Sequence, residues 1–465
     1  MLLNSLTLSA RVATPLAVSA LAYLFWRYVR RRVDFQGRKD ALLLVAYAVT
    51  RLGIWLLFAV YMQHYVTSSD PRLFYTPQLE HFLAGDVPIR DFYYPYAPLL
   101  MPSMLLPYIL LGHSLAGISL FAIIAEGITL VFFLKLTFLL EQRGEISHAW
   151  VTDALAVYLL NPATLYWTVF QGYHSIVQTA YFMAALYFLL LGHRTIGYAI
   201  GFYGIAGAKL LAVLDWPALM AAGRPALAKL IWGAIPVLVT YGVYQLITGD
   251  IFFPIRYHIG YTGEGTIWYL TTLFADLHSF YSAFPGNLVP IFSFGIPFLL
   301  GFVFWLKYLQ RGVISFSFQA AVGVSTFTMS LFFLCSLYAG SYYIPMLMLP
   351  ACLVVTCPGL PNRQGVWLVL LISGVGVAGD AIWVSLGQPA ALINVLSSTS
   401  FSDRFLTSSL VVTIIVRIIC FARLAYLGFS VATTNPLHSQ TLVLPSQENR
   451  KQMSDAISER IRAVS

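Results

Sequence analysis

Charged residues are scarce in this chain of 465 residues. Only 10% are Asp, Glu, Lys or Arg, whereas 59% are hydrophobic, and the mean hydropathy is +0.76. Several apolar runs reach about 20 residues, the length at which a helix spans a bilayer. Residues 42–65 are almost continuously apolar, whereas membrane β-strands are shorter and alternate polar with apolar side chains. The sequence therefore predicts an all-α polytopic membrane protein.

Other features that the sequence lacks argue against several classes of function. No Cys-x-x-Cys motif is formed by the four cysteines, so neither a disulfide framework nor a zinc site is predicted. The chain has no nucleotide-binding glycine loop and no Asp-x-Asp motif, which argues against a sugar-nucleotide donor. The net charge of +8 comes from basic residues in short loops rather than from a basic stripe, so no nucleic-acid partner is predicted.

Acidic residues are instead concentrated in one segment, residues 67–98, which reads TSSDPRLFYTPQLEHFLAGDVPIRDFYYPYAP. It contains Asp70, Glu80, Asp86 and Asp91. A carboxylate at a membrane is costly to place, so such a group indicates nearby water or a polar ligand. We interpret this segment as the first outer loop and as the candidate active centre.

A short interfacial helix is predicted inside the first outer loop. Thr76 is a favourable cap, Pro77 favours the first helical turn, and Gly85 is a typical end. One apolar face of this helix is formed by Leu79, Phe82 and Leu83. A second interfacial helix is predicted at 99–111, which is too short to span a bilayer.

The first outer loop resembles that of the GT-C glycosyltransferases, and most of all that of the polyprenyl-phosphate-mannose-dependent mannosyltransferases. The resemblance is carried by Asp70, Tyr75, Gly85 and the run PIRDFYYP at 88–95. It departs at residues 96–98, which read Tyr-Ala-Pro where an acidic residue and a double proline are common. Further along the chain it extends to Asn161-Pro162, Gln171-Gly172 and Lys209, while His174 stands where the family often has Asp.

The resemblance implies a fold and a donor. The expected fold is a GT-C-like bundle of about 11–13 transmembrane or re-entrant helices. It would occupy residues 1–429, with interfacial helices in two long outer loops, 67–98 and 249–287. A polar cytoplasmic tail would follow at 430–465. The implied donor is mannose on a polyprenyl phosphate, although residue types alone leave glucose, arabinose or another sugar equally open.

Residues 195–222 decide the topology. A single crossing would place most of the later basic residues outside, whereas a re-entrant pair keeps them inside, as the positive-inside rule favours. The re-entrant reading puts Lys209 and Asp215 at depth, where an ionisable residue is a functional candidate. Asp215 remains open as a structural partner of Lys209. The active site is predicted on the non-cytoplasmic side, at the plasma membrane of a prokaryote or the endoplasmic reticulum of a eukaryote.

Sugar transfer from a lipid phosphate requires a base and cations for the leaving phosphate. We predict Asp70 as the base and Lys209 and Arg256 as phosphate ligands, with inversion at the anomeric carbon. Asp91 is predicted either to orient the acceptor or to pair with Arg90. No metal ligand set and no cofactor are predicted.

The predicted partners are a polyprenyl-phosphate-linked sugar, membrane lipids and an acceptor that is a glycolipid, a glycan or a protein. Residues predicted to bind the sugar or the acceptor are Arg90, Tyr94, Gln171, His174 and His258. Two other readings remain open. A transporter or flippase of lipid-linked saccharides would line its path with the same charges, but no internal repeat is evident. A non-catalytic membrane subunit is the other.

Overall fold

The computed structural model describes residues 2–31, 36–57, 70–223, 225–251, 266–274, 291–310, 317–337, 339–358, 363–387, 392–397 and 400–433. Within these residues the chain is helical, and its one strand-like feature is an isolated bridge between Pro88 and Phe92.

The first ten helices are α1 (Leu2–Arg31), α2 (Gln36–Leu57), α3 (Thr76–Ala84), α4 (Leu100–Leu110), α5 (Leu115–Gln142), α6 (His148–Leu159), α7 (Ile176–Leu190), α8 (Arg194–Gly207), α9 (Trp216–Ala222) and α10 (Leu227–Thr248). They are followed by α11 (Ile296–Gln310), α12 (Phe318–Cys335), α13 (Ile344–Thr356), α14 (Arg363–Ser385), α15 (Leu392–Leu396) and α16 (Phe401–Thr433). Short 3-10 or π-helical turns lie at Pro71–Tyr75, Thr164–Phe170, Leu210–Asp215, Ile267–Leu273, Ile291–Gly295 and Ser341–Tyr343.

In the described part of the chain, six helical segments are long and apolar enough to cross a bilayer. These are Val12–Arg30, Leu115–Gln142, Leu227–Thr248, Phe318–Cys335, Gly365–Ser385 and Phe401–Thr433. Shorter apolar helices lie between them. The predicted all-α class is confirmed, and the described part of the chain has the architecture of an integral multi-pass membrane protein.

Helix α13 lies at the centre of the bundle. Every residue from Ile344 to Val355 is buried, and the helix packs against α6, α12 and α14. Helix α10 is peripheral by contrast, because most of its side chains are exposed and Leu246 is 87% exposed. The turn Ser341–Tyr343, which leads into α13, is therefore held against a buried helix, and Ser341 and Tyr343 are themselves buried.

The first outer loop folds differently from its prediction at one end. The predicted cap at Thr76 is wrong, because helical backbone already begins at Asp70 and Pro71, and the Thr76 hydroxyl donates back to the Pro71 carbonyl at 3.0 Å. The predicted end is confirmed, since Gly85 closes α3 in the left-handed region at φ 83°. On the predicted apolar face, Leu79 is buried and Leu83 is 39% exposed.

Residues 194–222 form a hairpin. Small residues let its two arms approach closely: Gly204 lies against Ala212, and Gly201 lies against Leu219. Helix α10 then runs parallel to α8, with the Tyr203 and Thr240 hydroxyls 3.3 Å apart. The chain therefore doubles back at residues 208–209, which is the broken geometry that the charge bias predicts.

A buried ion pair joins α2 to α5. Arg51 donates to both carboxylate oxygens of Glu126, at 3.0 and 2.6 Å, and both side chains are at most 1% exposed. Arg51 also donates to the Leu159 carbonyl and the Thr164 hydroxyl. These groups flank the break at Asn161-Pro162, where helical hydrogen bonds are interrupted. The guanidinium thus stabilises a helix break as well as a buried carboxylate.

Arg51→Met is expected to lower the free energy of unfolding by about 3–5 kcal/mol, because it leaves Glu126 buried and unpaired. The double change with Glu126→Leu is expected to recover most of that loss. Arg30→Met is the matched control: Arg30 lies 3.8 Å from Asp153 but is 54% exposed, so its loss should cost less than about 1 kcal/mol. Thermal denaturation of the purified protein in detergent measures all three. Equal effects of Arg51→Met and Arg30→Met contradict this account.

Candidate functional site

Asp70 lies where the first outer loop meets the bundle. Its backbone N–H donates to the Tyr173 hydroxyl at 3.5 Å. Its helical turn carries the fully buried Tyr75, whose ring meets Tyr173 edge-on at 6.3 Å between centroids. Asp70 is itself half-buried. Although the loop is long, Asp70 is therefore held against the bundle by aromatic packing.

The turn at residues 171–175 supplies the next part of the site. Gly172 takes a positive φ of 71° there, and a Cβ at this position would lie 3.1 Å from the Ser119 backbone nitrogen. This close approach seats the turn on α5. The Tyr173 ring stacks on Tyr342 at 5.0 Å. The turn thereby joins Asp70 to the central Ser341–Tyr343 segment.

Lys209 approaches the same aromatic cluster from the hairpin. Its backbone is extended, with φ −155° and ψ 156°, at the point where α8 ends and the Leu210–Asp215 turn begins. Its ammonium nitrogen lies 4.0 Å from the Tyr343 ring centroid and 5.3 Å from that of Tyr342. Both distances are within the range of cation–π attraction. Two aromatic faces therefore hold the cation in place.

Electrostatics connect Asp70 with Lys209. Burial lowers the pKa of Lys209 to about 7, and the negative charge of Asp70 opposes this lowering. Burial also raises the pKa of Tyr75 and Tyr173 well above the usual range, with Asp70 contributing in both cases. One carboxylate and one amine therefore act on each other across a low-dielectric group of tyrosines.

Asp215 is not paired with Lys209. It accepts a hydrogen bond from the Gln178 side chain at 2.8 Å, and that amide also donates to the Leu211 carbonyl at 3.3 Å. These contacts fasten the returning arm of the hairpin to α7. The sequence leaves two partners open for Lys209, a phosphate group and Asp215. In the structure Asp215 does not pair with Lys209 but anchors the segment that follows it.

Asp91 and Arg90 pair with each other. The guanidinium donates to both carboxylate oxygens at 2.9 and 2.8 Å, and the Val87 N–H donates to Asp91 as well. These contacts lower the pKa of Asp91 to about 2. The pair lies in an exposed turn that also contains Ile89 at φ 70°. Of the two predicted roles for Asp91, the structure places it in the pairing one.

The remaining predicted site residues fall in different places. The buried Tyr94 donates to the Ala97 carbonyl at 2.8 Å and accepts from the Met101 N–H at 3.3 Å, which ties the loop to α4. Gln171 donates to the Tyr166 hydroxyl at 3.1 Å. His174 lies in the aromatic cluster, beside Tyr75. Arg256 and His258 lie outside the described residues.

Two charged residues near the site are absent from the sequence-based prediction. Arg417 of α16 is buried and donates to the Ser341 hydroxyl at 2.8 Å, next to the tyrosines that hold Lys209. Asp380 of α14 is close enough that its charge helps to raise the pKa of Tyr173. The available signal was an isolated charge in a long apolar run, which marks a functional candidate wherever it occurs in a membrane helix.

Metal binding has no support in the part of the chain that the structure describes, where no group of three or more His, Cys, Asp or Glu side chains could hold a metal ion. Comparison with protein-family models finds none that matches this chain, and a search of curated proteins finds no match either. Function is therefore inferred from the residues and their geometry.

The two environments of Lys209 and Asp215 predict independent energetics. Asp215→Leu should destabilise the protein by about 1–3 kcal/mol, because it removes the acceptor of the Gln178 amide. Combined with Lys209→Met, the effects should add within about 0.5 kcal/mol. Combined with Gln178→Leu, they should not add, because these two side chains contact each other. Thermal denaturation of the variants distinguishes the cases. Rescue of Asp215→Leu by Lys209→Met would show that the two ions are paired.

Proposed function

We propose that this chain is an integral-membrane glycosyltransferase with a GT-C-like bundle. It transfers a sugar from a polyprenyl phosphate to an acceptor hydroxyl. The observation that carries the proposal is the placement of Asp70 and Lys209, from distant parts of the sequence, around one cluster of tyrosines at the end of an apolar bundle. A base and a phosphate-binding cation are the two charges that this reaction needs.

Asp70 is the proposed general base. As the acceptor oxygen forms its bond to the anomeric carbon, the acceptor proton passes to the Asp70 carboxylate. The bond from the anomeric carbon to the phosphate oxygen breaks, and its electron pair leaves with the phosphate. Because one displacement occurs at this carbon, the anomeric configuration inverts. The transition state has oxocarbenium character, as in other glycosyl chemistry.

Lys209 is the proposed ligand of the departing phosphate. Its ammonium rests on aromatic faces, and its pKa of about 7 shows that burial makes its charge costly. A phosphate group supplies the anion that favours the charged form. The interaction strengthens as negative charge builds up on the leaving oxygen, so it acts in the transition state more than in the ground state. Arg256 remains a proposed second phosphate ligand.

A lipid-borne donor suits an apolar, peripheral surface. Helix α10 exposes Leu246, Trp232 and neighbouring apolar side chains and packs along α8, which leads directly to Lys209. The proposed donor sugar is mannose, and the proposed acceptor is a glycolipid, a glycan or a protein. The positive-inside bias supports a site on the non-cytoplasmic side, at the plasma membrane of a prokaryote or the endoplasmic reticulum of a eukaryote.

Asp70→Asn is expected to reduce transfer by about 10²–10⁴-fold, because the amide keeps the shape of the side chain but cannot take the proton. Asp91→Asn is the control and should stay within a few-fold of the wild type, since Asp91 is committed to Arg90 in an exposed turn. The assay is incubation of purified protein with labelled polyprenyl-phosphate-mannose and membrane lipid extract. If Asp91→Asn is inactive and Asp70→Asn is active, Asp91 is the general base and Asp70 is not. Donor movement across the membrane without transfer supports a flippase instead.

Donor binding is expected to weaken as pH rises above about 7. In the free protein the pKa of Lys209 is lowered to about 7, and the bound phosphate raises it. At a pH between these two pKa values, donor binding is therefore accompanied by the uptake of a proton. Affinity is therefore complete below pH 7 and falls by up to about tenfold per pH unit above it. The dissociation constant of a polyprenyl-phosphate-mannose ester, whose phosphodiester charge is constant, is measured from pH 6 to 9.

Two variants control this pH experiment. Lys209→Met should bind the ester weakly at every pH, whereas Lys209→Arg should bind it without the pH dependence because arginine stays charged. A Lys209→Met protein that keeps the wild-type slope excludes Lys209 as the titrating group.

A further inference from the structure

We propose that His174 reads the transferred sugar, by hydrogen bonds from its imidazole nitrogens to sugar hydroxyls. This inference rests on the proposed function and assigns a specificity-determining residue to it. The side chain is only 1% exposed. Among the residues that the structure describes, neither ring nitrogen has a hydrogen-bond partner. Buried polar groups are nearly always paired, and leaving one unpaired is costly, so this imidazole points to a ligand.

Other unsatisfied groups lie around the same turn. Within the described part of the chain, buried polar atoms without a hydrogen-bond partner occur on Trp167, Thr168, Gln171, Ser175 and Gln178, in addition to His174. Buried polar groups of this kind are usually paired in the native protein by water, an ion or a bound polar molecule. His174 packs against two aromatic rings of the first outer loop, those of Tyr75 and Tyr96.

The position of His174 matches that of the sugar rather than that of the phosphate. In a displacement with inversion, the sugar ring lies between the base and the leaving phosphate. His174 lies 5.1 Å from the Tyr75 ring, whose hydroxyl feels the charge of Asp70, and its own pKa is affected by Lys209. These interactions place the imidazole close to both reacting charges.

Two rings form the walls of this subsite. Tyr75 is buried, whereas Tyr96 is half-buried, belongs to the non-helical run after α3, and meets the imidazole edge-on at 5.5 Å. In the proposal, the sugar reaches His174 as the Tyr96 ring moves aside. Burial and the Lys209 charge hold the pKa of His174 well below its usual value. The imidazole is thus neutral at pH 7 and offers one donor and one acceptor, which suits hydroxyl groups.

The test uses full-length protein in lipid nanodiscs and five probes: polyprenyl-phosphate-mannose and its four monodeoxy analogues. In the wild type, removal of at least one hydroxyl should weaken binding by about 10- to 100-fold, as expected when a polar site loses its partner. In His174→Phe, which keeps an aromatic ring without nitrogens, that penalty should disappear. His174→Gln, which keeps a donor and an acceptor, should retain part of it and serves if the phenylalanine variant does not fold.

His193→Phe is the matched control, because His193 is exposed and follows the C-terminal end of α7, whereas His174 precedes the N-terminal end of that helix. It should show the wild-type penalties. The inference is overturned if the His174 variants show the wild-type penalty at every hydroxyl, or if the wild type shows none, since the imidazole then serves an internal water. Failure of the proposed function looks different: the wild type then binds none of the five probes and transfers no sugar.

Discussion

Keeping a charge inside an apolar bundle is costly, and the way each charge is compensated shapes this molecule. Arg51 and Glu126 neutralise each other and are fully buried. Arg90 and Asp91 pair in an exposed turn, where pairing contributes little. The charge of Lys209 is compensated in a third way, because its ammonium rests on two tyrosine faces at a chain reversal. This compensation is incomplete, as the lowered pKa shows, and in the proposed function a bound phosphate completes it.

The tyrosine cluster is what brings distant segments to this amine. Tyr173 contacts the Asp70 backbone on one side and stacks on Tyr342 on the other. Rings suit this task, since they fill an apolar interior while their hydroxyls meet polar groups at its edge. The helix that follows Tyr343 is buried from Ile344 to Val355, so the cluster is fixed where it meets the core.

The sequence alone predicts much of the fold because membrane helices are specified by local composition. The all-α class, the end of α3 at Gly85 and the doubling back near Lys209 were all predictable. Pairings between distant residues were not. Arg51 and Glu126 are 75 residues apart, and neither carries a local signal of its partner. The prediction that Thr76 caps a helix is wrong for a local reason, because the helical run already begins at Pro71.

Two of the elements around Lys209 are shorter than a bilayer is thick. Helix α13 has 13 residues and α8 has 14, which gives each a length of about 20 Å, compared with about 30 Å of hydrocarbon. One end of each lies at the tyrosine–lysine cluster. A helix of this length cannot cross the hydrocarbon alone, so each is continued by an adjoining turn, Ser341–Tyr343 before α13 and Leu210–Asp215 after α8. Lipid cannot satisfy the free backbone polar groups of such turns, so protein or water must surround them.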